Sequence, residues 1–461
     1  MTTDIGQAPV PNTVYLELKN HLWRQQIKVA SGDHVLKGSL VVGGENPLHA
    51  STSGTIVGVR LHPSGHRNAN PTAHLVIRSD GLDEWCKSKD SRDPLELTPV
   101  QLEEKIRIAG ITGLGGGSYP SASKLETARK NAAQHLIINA IECEPGISTD
   151  EAIMLAVPIE ILKAALSLLK ILALKSCIVA IADDKPEVIK TLQSTIESLG
   201  LGKQISIVTV SARFPNGSER QLIRILLGIS LSRNTYPAQH GIVCLNVSTL
   251  YAIYQAIFEN KALVERVITL RTSERVQNMR VHLGTPAHVL FDEGAGGDSP
   301  AKIHRGGPLT GWLQSSDASV EKGTTGLQLP ATSTPAHALA CIRCAKCADI
   351  CPENLLPQEL LWYSQVFNTQ KLETLDLSAC LECGLCESVC PSHIPLTNLF
   401  RDSKDRMHKI TRVHAQAQKA NARVEKRQQR ISGSGNKLQS QREKRLDRLK
   451  RQSLPHEEKN T

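Results

Sequence analysis

The chain has 461 residues, enough for three or more domains with proper cores. Aromatic residues make up only 3%, which leaves few stacking platforms for nucleic acid, and no recognition motif offsets that scarcity. The net charge of +9 belongs to one segment: from Arg401 onward there are 18 Lys and Arg against 7 Asp and Glu, while the preceding residues carry 36 against 38. No run reaches the roughly 18 uncharged apolar residues that cross a bilayer. The nearest, from Ile159 to Ala182, is broken by Lys163, Lys170 and Lys175 and reads as a core helix followed by a core strand. The opening residues lack a charged-then-apolar signal region, so the expectation is a soluble or peripheral protein in a reducing compartment.

Up to about residue 95 the chain alternates in short β-like pieces divided by glycine, as at Gly32, Gly38 and Gly54. Gly32-Asp33-His34-Val35-Leu36-Lys37-Gly38 and Ala50 to Ile56 are patterned like the two halves of a barrel-sandwich (lipoyl-like) fold. A lipoylated carrier would present a lysine at the hairpin tip between them. Here the tip is Val42 to Pro47 and has none, so a carrier role is not expected. Thr98-Pro99-Val100-Gln101 then predicts a helix start, with proline at the first helical position and a capping-box spacing, and Gly110 predicts its end.

Next comes the glycine-rich Gly113-Leu114-Gly115-Gly116-Gly117, followed by a helix from Ser121 to Asn131 that carries Lys124. Such a turn lets backbone N–H groups approach a phosphate, with a helix N-terminus against its charge. It precedes the first strand, so it is not the Rossmann glycine fingerprint, which follows one. Strands are expected at 135–141, 177–182, 205–210 and 242–247, alternating with helices at 149–172 (broken at Pro158), 186–199, 219–227 and 250–260. That alternation implies a parallel sheet covered on both faces, with any ligand beyond the carboxyl ends of the strands. The loops at those ends are Glu142-Cys143-Glu144-Pro145, Asp183-Asp184 and Phe214 to Glu219. Residues 262–330 return to short β-like pieces and end in Gly294-Ala295-Gly296-Gly297 and Arg305-Gly306-Gly307-Pro308, a small β-rich insert.

Eight of the twelve cysteines then form one pattern written twice. Cys341, Cys344, Cys347 and Cys351-Pro352 recur as Cys380, Cys383, Cys386 and Cys390-Pro391. This C-x2-C-x2-C-x3-C-P spacing is the bacterial ferredoxin run for a [4Fe–4S] cluster, in which the fourth cysteine ligates the other cluster. Cys341, Cys344, Cys347 and Cys390 are therefore assigned to one cluster, and Cys380, Cys383, Cys386 and Cys351 to the other. Zinc sites favour paired knuckles instead, and disulfides would need an oxidising compartment. Of the rest, Cys177 and Cys244 lie in apolar runs that read as buried strands. Between the runs, Leu356 to Ser364 reads as helix, so the module is expected to be helical. The basic tail, interrupted by Ser432-Gly433-Ser434-Gly435, reads as exposed helix or disorder. It suits contact with anionic lipid and docking to a partner about equally well.

Gly110 to Lys124, taken with Asn139 to Pro145, resembles the flavin- and NADH-binding subunit of respiratory complex I. It is still more similar to the C subunit (RnfC) of the Rnf/Rsx ion-translocating electron transport complex, as are Cys341 to Pro352 and Leu355 to Leu360. The resemblance covers residues from about 25 to 405. It implies a multidomain α/β protein: a lipoyl-like barrel-sandwich β domain (1–95), a Rossmann-like parallel α/β flavin and NADH domain (96–261), a β-grasp insert (262–334), a helical two-[4Fe–4S] ferredoxin module (335–400) and a basic tail (401–461). It also implies FMN bound by Gly113, Gly115, Gly116, Gly117 and Lys124, with Asn139, Glu142, Glu144, Gly217, Glu219 and Asn246 around it, and NADH as substrate. Electrons would pass between NADH and the two clusters to the membrane subunits of the complex, at the cytoplasmic side of the inner membrane. Serine stands at 118, 218 and 248 where the family pattern favours glycine. Those departures define the alternative: an iron–sulfur relay or scaffold subunit with a degenerate nucleotide site.

Overall fold

A computed structural model of the chain describes residues 4–19, 26–66, 70–87, 94–231, 235–291, 301–330 and 337–452. The glycine cluster at 294–297 lies outside the described residues. The chain divides into two compact units, one formed within Met1–His337 together with Cys383–Ser388, the other within Ala338–Glu382 and Val389–Thr461.

In the first unit, β1 (Ile5–Gln7) and β2 (Thr13–Glu17) precede three short strands, β3 (His34–Val35), β4 (Leu40–Val42) and β5 (Leu48–His49). Two long strands follow, β6 (Gly54–His62) and β7 (Thr72–Ser79). Strands β2, β7, β6 and β3 pair antiparallel in that order, and β4–β5 is a separate hairpin enclosing the tip at residues 43–47. Gly54 is required as glycine, because an added Cβ would lie 2.0 Å from the Arg78 carbonyl oxygen.

The α/β part begins with α1 (Pro99–Ile108). Thr98 and Gln101 close the capping box, and Gly110 follows at φ +69°. Then come α2 (Ser121–Lys130), β8 (His135–Ala140), α3 (Thr149–Ala156), α4 (Pro158–Ile171) and β9 (Ser176–Ala182). The remainder is α5 (Pro186–Ser198), β10 (Ile205–Val210), α6 (Glu219–Leu227), β11 (Ile242–Asn246) and α7 (Val247–Phe258). Strands β10, β9, β8 and β11 lie side by side in that order, all parallel. Consecutive Leu136, Ile137 and Ile138 are all fully buried, as a strand covered on both faces requires. Pro158 divides α3 from α4 because proline lacks an N–H and clashes with the preceding turn. The last helix starts at Val247, three residues earlier than the pattern suggests, because Asn246 caps it directly at the strand end.

The third sheet holds β12 (Glu265–Arg271), β13 (Val276–His282), β14 (Lys302–Arg305), β15 (Trp312–Ser315) and β16 (Gly326–Gln328). Its order is β1-β13-β12-β16-β14-β15, so the first strand of the chain leaves the N-terminal sheet and adds to this one in parallel. Three uncapped residues carry no periodicity that would have predicted this. Buried polar ties join the parts of the unit. Lys322 Nζ donates to the carbonyls of Gly110 (2.7 Å) and Pro47 (3.2 Å) and to Asn46.

Among the described residues from 337 on there is no strand; the helices are α8 (Lys346–Asp349), α9 (Pro357–Gln365), α10 (Thr369–Thr374), a short 3-10 turn (Leu377–Ala379), α11 (Leu385–Ser388) and α12 (Leu396–Gln452). Leu360, Leu361, Leu372, Leu377 and Phe400 form the small core of the second unit. Helix α12 begins before Arg401 and runs through residues 432–435, so the described part of the tail, to Gln452, is helical. Its Ala, Gln, Lys, Arg and Glu residues are strong helix formers, which offsets the roughly 1 kcal/mol per glycine. No single helix among the described residues is long and apolar enough to cross a membrane.

Candidate functional site

The parallel sheet contains one topological switch. From β8 the chain proceeds outward to β9 and β10, then crosses back to place β11 on the other side of β8. The crevice at the carboxyl ends of β8 and β11 is where an open α/β sheet binds ligands. The last residue of β11, Asn246, is in register with Asn139 near the end of β8. Asn139 Nδ2 donates to the Gly217 carbonyl at 2.8 Å. A Cβ on Gly217 would lie 2.5 Å from the Ile141 oxygen, so the loop before α6 can approach this edge only with glycine there.

Lys124, projecting from α2, reaches the same edge. Its ammonium donates to Glu219 Oε1 at 2.6 Å and to the Cys244 carbonyl at 2.8 Å. Burial works against its charge, but the Glu219 carboxylate prevails and raises its pKa, so the lysine is firmly cationic. The glycine loop lies over the end of β11. Leu114 N donates to Thr249 Oγ1 at 2.9 Å, and a Cβ on Gly115 would sit 3.2 Å from the Asn246 amide. Gly113 N donates to the Tyr119 carbonyl, closing the base of the loop. At its tip, a Cβ on Gly116 or Gly117 would meet no protein atom within 4 Å. The N–H groups of Gly115, Gly116 and Gly117 donate to no described residue. Three unengaged amides beside a half-buried lysine and a helix N-terminus are donors suited to a phosphate. Tyr119 and Tyr236, both exposed, stack beside the loop with centroids 6.0 Å apart.

Thus Gly113, Gly115, Gly116, Gly117, Lys124, Asn139, Gly217, Glu219 and Asn246 converge on one edge. Glu142 and Glu144 sit at the same strand end but turn inward. Glu142 accepts from the Asp150 and Glu151 amides and from Thr149 Oγ1, capping α3. Glu144 accepts from the Leu309 and Thr310 amides of the third sheet's β14–β15 loop. Sequence reasoning passed over Asp150, Thr249 and Arg266. Asp150 is an acid in a helix's first turn, an ordinary place for one. Only the polar Asn246-Val247-Ser248-Thr249 stretch after an apolar strand hinted at the cap. The three serines are each accommodated. Ser118 takes the left-handed region at φ +48°, Ser218 sits in extended backbone, and Ser248 donates to Asp150 at 2.8 Å, which glycine could not.

The cysteine runs repeat in conformation as well as in sequence, 39 residues apart (341 to 380, 351 to 390). Arg343 and Ala345 take positive φ, and so do Glu382 and Gly384 at the matching places. Asn354 and His393, three residues past each fourth cysteine, do the same. Cys341, Cys344, Cys347 and Cys390 line one cavity, walled by Ile342, Leu361, Ile394 and Leu396. Three thiols of one run and one from the other, among apolar walls, fit a thiolate-held iron–sulfur cluster. In the other set, Cys380 is close enough to Cys351 to feel its charge; burial chiefly, and that charge in addition, raise its pKa. Lys404 Nζ donates to the Cys380 carbonyl at 2.7 Å and fixes that turn to α12.

Three stretches match known families: residues 1–82 the RnfC barrel sandwich hybrid domain, 106–255 the Nuo51 FMN-binding domain, and 340–394 the 4Fe-4S dicluster domain. The C subunit of the ion-translocating oxidoreductase complex of Haemophilus influenzae (strain PittEE) is 38% identical over 443 residues, 93% of this chain and 67% of that one. Its counterpart in Pasteurella multocida (strain Pm70) is 36% identical over 432 residues, 91% of this chain and 51% of that one. The chain thus spans between about half and two thirds of the length of these relatives. Among solved structures, a chain of the NAD+-reducing [NiFe]-hydrogenase in the H2-reduced state superimposes with a TM-score of 0.45 at 19% identity, covering 51% of this chain and 48% of that one.

Proposed function

This chain belongs to the RnfC family, the C subunits of ion-translocating oxidoreductase complexes, and from that premise we propose that it is the electron-entry subunit, exchanging electrons between NADH and two [4Fe–4S] clusters through FMN. The observation that carries the reading is the switch-point site: an open glycine loop with unengaged amides, beside Lys124 and the N-terminus of α7. When bound, a flavin supplies the exchange between two-electron and one-electron transfer. Lys124 and the amides of Gly115–Gly117 hold the phosphate end, and Asn139, Gly217 and Asn246 shape the crevice. Glu142 and Glu144 act on the framework, one capping α3 and the other holding the β14–β15 loop. The stacked Tyr119 and Tyr236 offer aromatic faces for the bases of a dinucleotide.

Cys341, Cys344, Cys347 and Cys390 hold one cluster, and Cys380, Cys383, Cys386 and Cys351 the other. The third sheet supports the β-grasp reading: without β1 its order, counted from β12, is 2-1-5-3-4 with the first and last strands parallel. The N-terminal antiparallel sheet and its hairpin support the lipoyl-like reading. The proposed partners are the membrane subunits of the complex, with this chain peripheral at the cytoplasmic face of the inner membrane. The exposed basic helix α12 supplies a surface for those subunits or for anionic lipid.

Anaerobic reconstitution of the clusters, then addition of NADH with and without FMN, tests the proposal. Bleaching of the iron–sulfur absorbance and a reduced-cluster EPR signal are expected only with both. Clusters reduced by dithionite but never by NADH with FMN would overturn it.

A further inference from the structure

The glycine loop is open on its outer side, so its position depends on how its inner side is held. Three attachments do this. Leu114 N donates to Thr249 Oγ1, Gly115 packs on the Asn246 amide, and the Leu114 carbonyl accepts from Arg266 at 3.2 Å. Asn246 is the N-cap of α7, Thr249 lies in its first turn, and Arg266 belongs to β12. Two of the attachments lead back to one carboxylate on a third element, and Ser248, beside Thr249, bonds to it as well. Asp150, in the first turn of α3, accepts from Asn246 Nδ2 at 2.5 Å and from Ser248 Oγ at 2.8 Å. It also lies close enough to the fully buried Arg266 to attract its charge. The Asn246 amide is thereby fixed in one orientation. Its Nδ2 faces Asp150, which leaves Oδ1 to accept from Ser248 N at 3.0 Å and cap α7.

We infer that Asp150 is the positioning residue of the glycine loop: through Asn246, Ser248 and Arg266 it holds Leu114 and Gly115 so that the free amides of Gly115–Gly117 form a phosphate cradle. The inference rests on the flavin reading of this site and adds to it the residue that sets its phosphate selectivity. Asp150 touches no ligand in this role. An alanine there would remove both carboxylate oxygens, leaving Asn246 Nδ2 and Ser248 Oγ without their acceptor and Arg266 without the negative charge beside it. Asn246 is then no longer fixed in the orientation that caps α7, and Gly115 loses its backing.

The test compares FMN with riboflavin, which lacks the phosphate, by flavin fluorescence quenching on the full chain with its clusters in place. The wild type is expected to prefer FMN strongly. Asp150→Ala is expected to lower that preference by about tenfold or more while riboflavin affinity changes little, and Ser248→Ala, which removes one tether, by about threefold. General loosening of the fold would weaken both flavins alike. An unchanged preference in Asp150→Ala overturns the inference. Should that variant not fold, an unchanged preference in Ser248→Ala overturns it instead. A wild type that binds neither flavin refutes the underlying reading of the site, a result distinct from both.

Discussion

The cysteine module and the switch-point crevice are built in opposite ways. In the module, three of four ligands for each proposed cluster fall within seven consecutive residues, in turns that need left-handed backbone at Arg343, Ala345, Glu382 and Gly384. Non-glycine residues in that region cost about 1–2 kcal/mol each, and few apolar side chains are buried there to offset it. In the crevice, the functional groups come from five elements far apart in sequence, and a large continuous core fixes them before any ligand arrives. One region is strained and thinly packed, while the other is held by a large core.

That contrast can be broken most sharply at the cysteines. Replacing Cys344 by serine is expected to remove one cluster, lowering iron from roughly eight to roughly four atoms per chain, and to leave flavin binding intact. Unaltered iron content in the purified variant would refute the ligand assignment. In the crevice the expected effects are graded. Lys124→Met leaves Glu219 without its counter-ion and removes the cation beside the glycine loop. FMN affinity is expected to fall on the order of a hundredfold while cluster EPR is retained, and equilibrium titration with FMN measures it.

The smallest expected effect sharpens the contrast through pH. Burial first, and then the charge of Asp150, push the Glu142 carboxyl up from 4.5 to about 7 in the folded chain. The fold therefore holds this proton more tightly than the unfolded chain does, and stability from this group falls as pH rises from about 4.5 to about 7. Glu142→Gln should flatten that slope across the window. Urea unfolding at several pH values reads it, and an unchanged slope would show that the carboxyl does not titrate there.

Much of the α/β domain was legible because its signals are local. The apolar runs at 135–140 and 205–210, the capping box at Thr98, and Pro158 act within a few residues of themselves. The cysteine spacing was legible for the same reason. The inward turn of Glu142 and Glu144 was not, since their partners, the α3 amides and the β14–β15 loop, appear only when the chain is folded. The addition of β1 to the third sheet was also hidden, because Ile5–Gln7 pairs with residues more than 270 positions away.

By itself, then, the sequence determined the cysteine pattern, the order of strands and helices, and the glycine loop, all of which follow from bond geometry and periodicity over short spans. Only the tertiary structure decided that Asp150, Asn246, Thr249 and Arg266 would meet beneath that loop. A buried carboxylate is tolerated only where hydrogen bonds and an opposite charge converge on it, and that convergence comes from packing distant elements together.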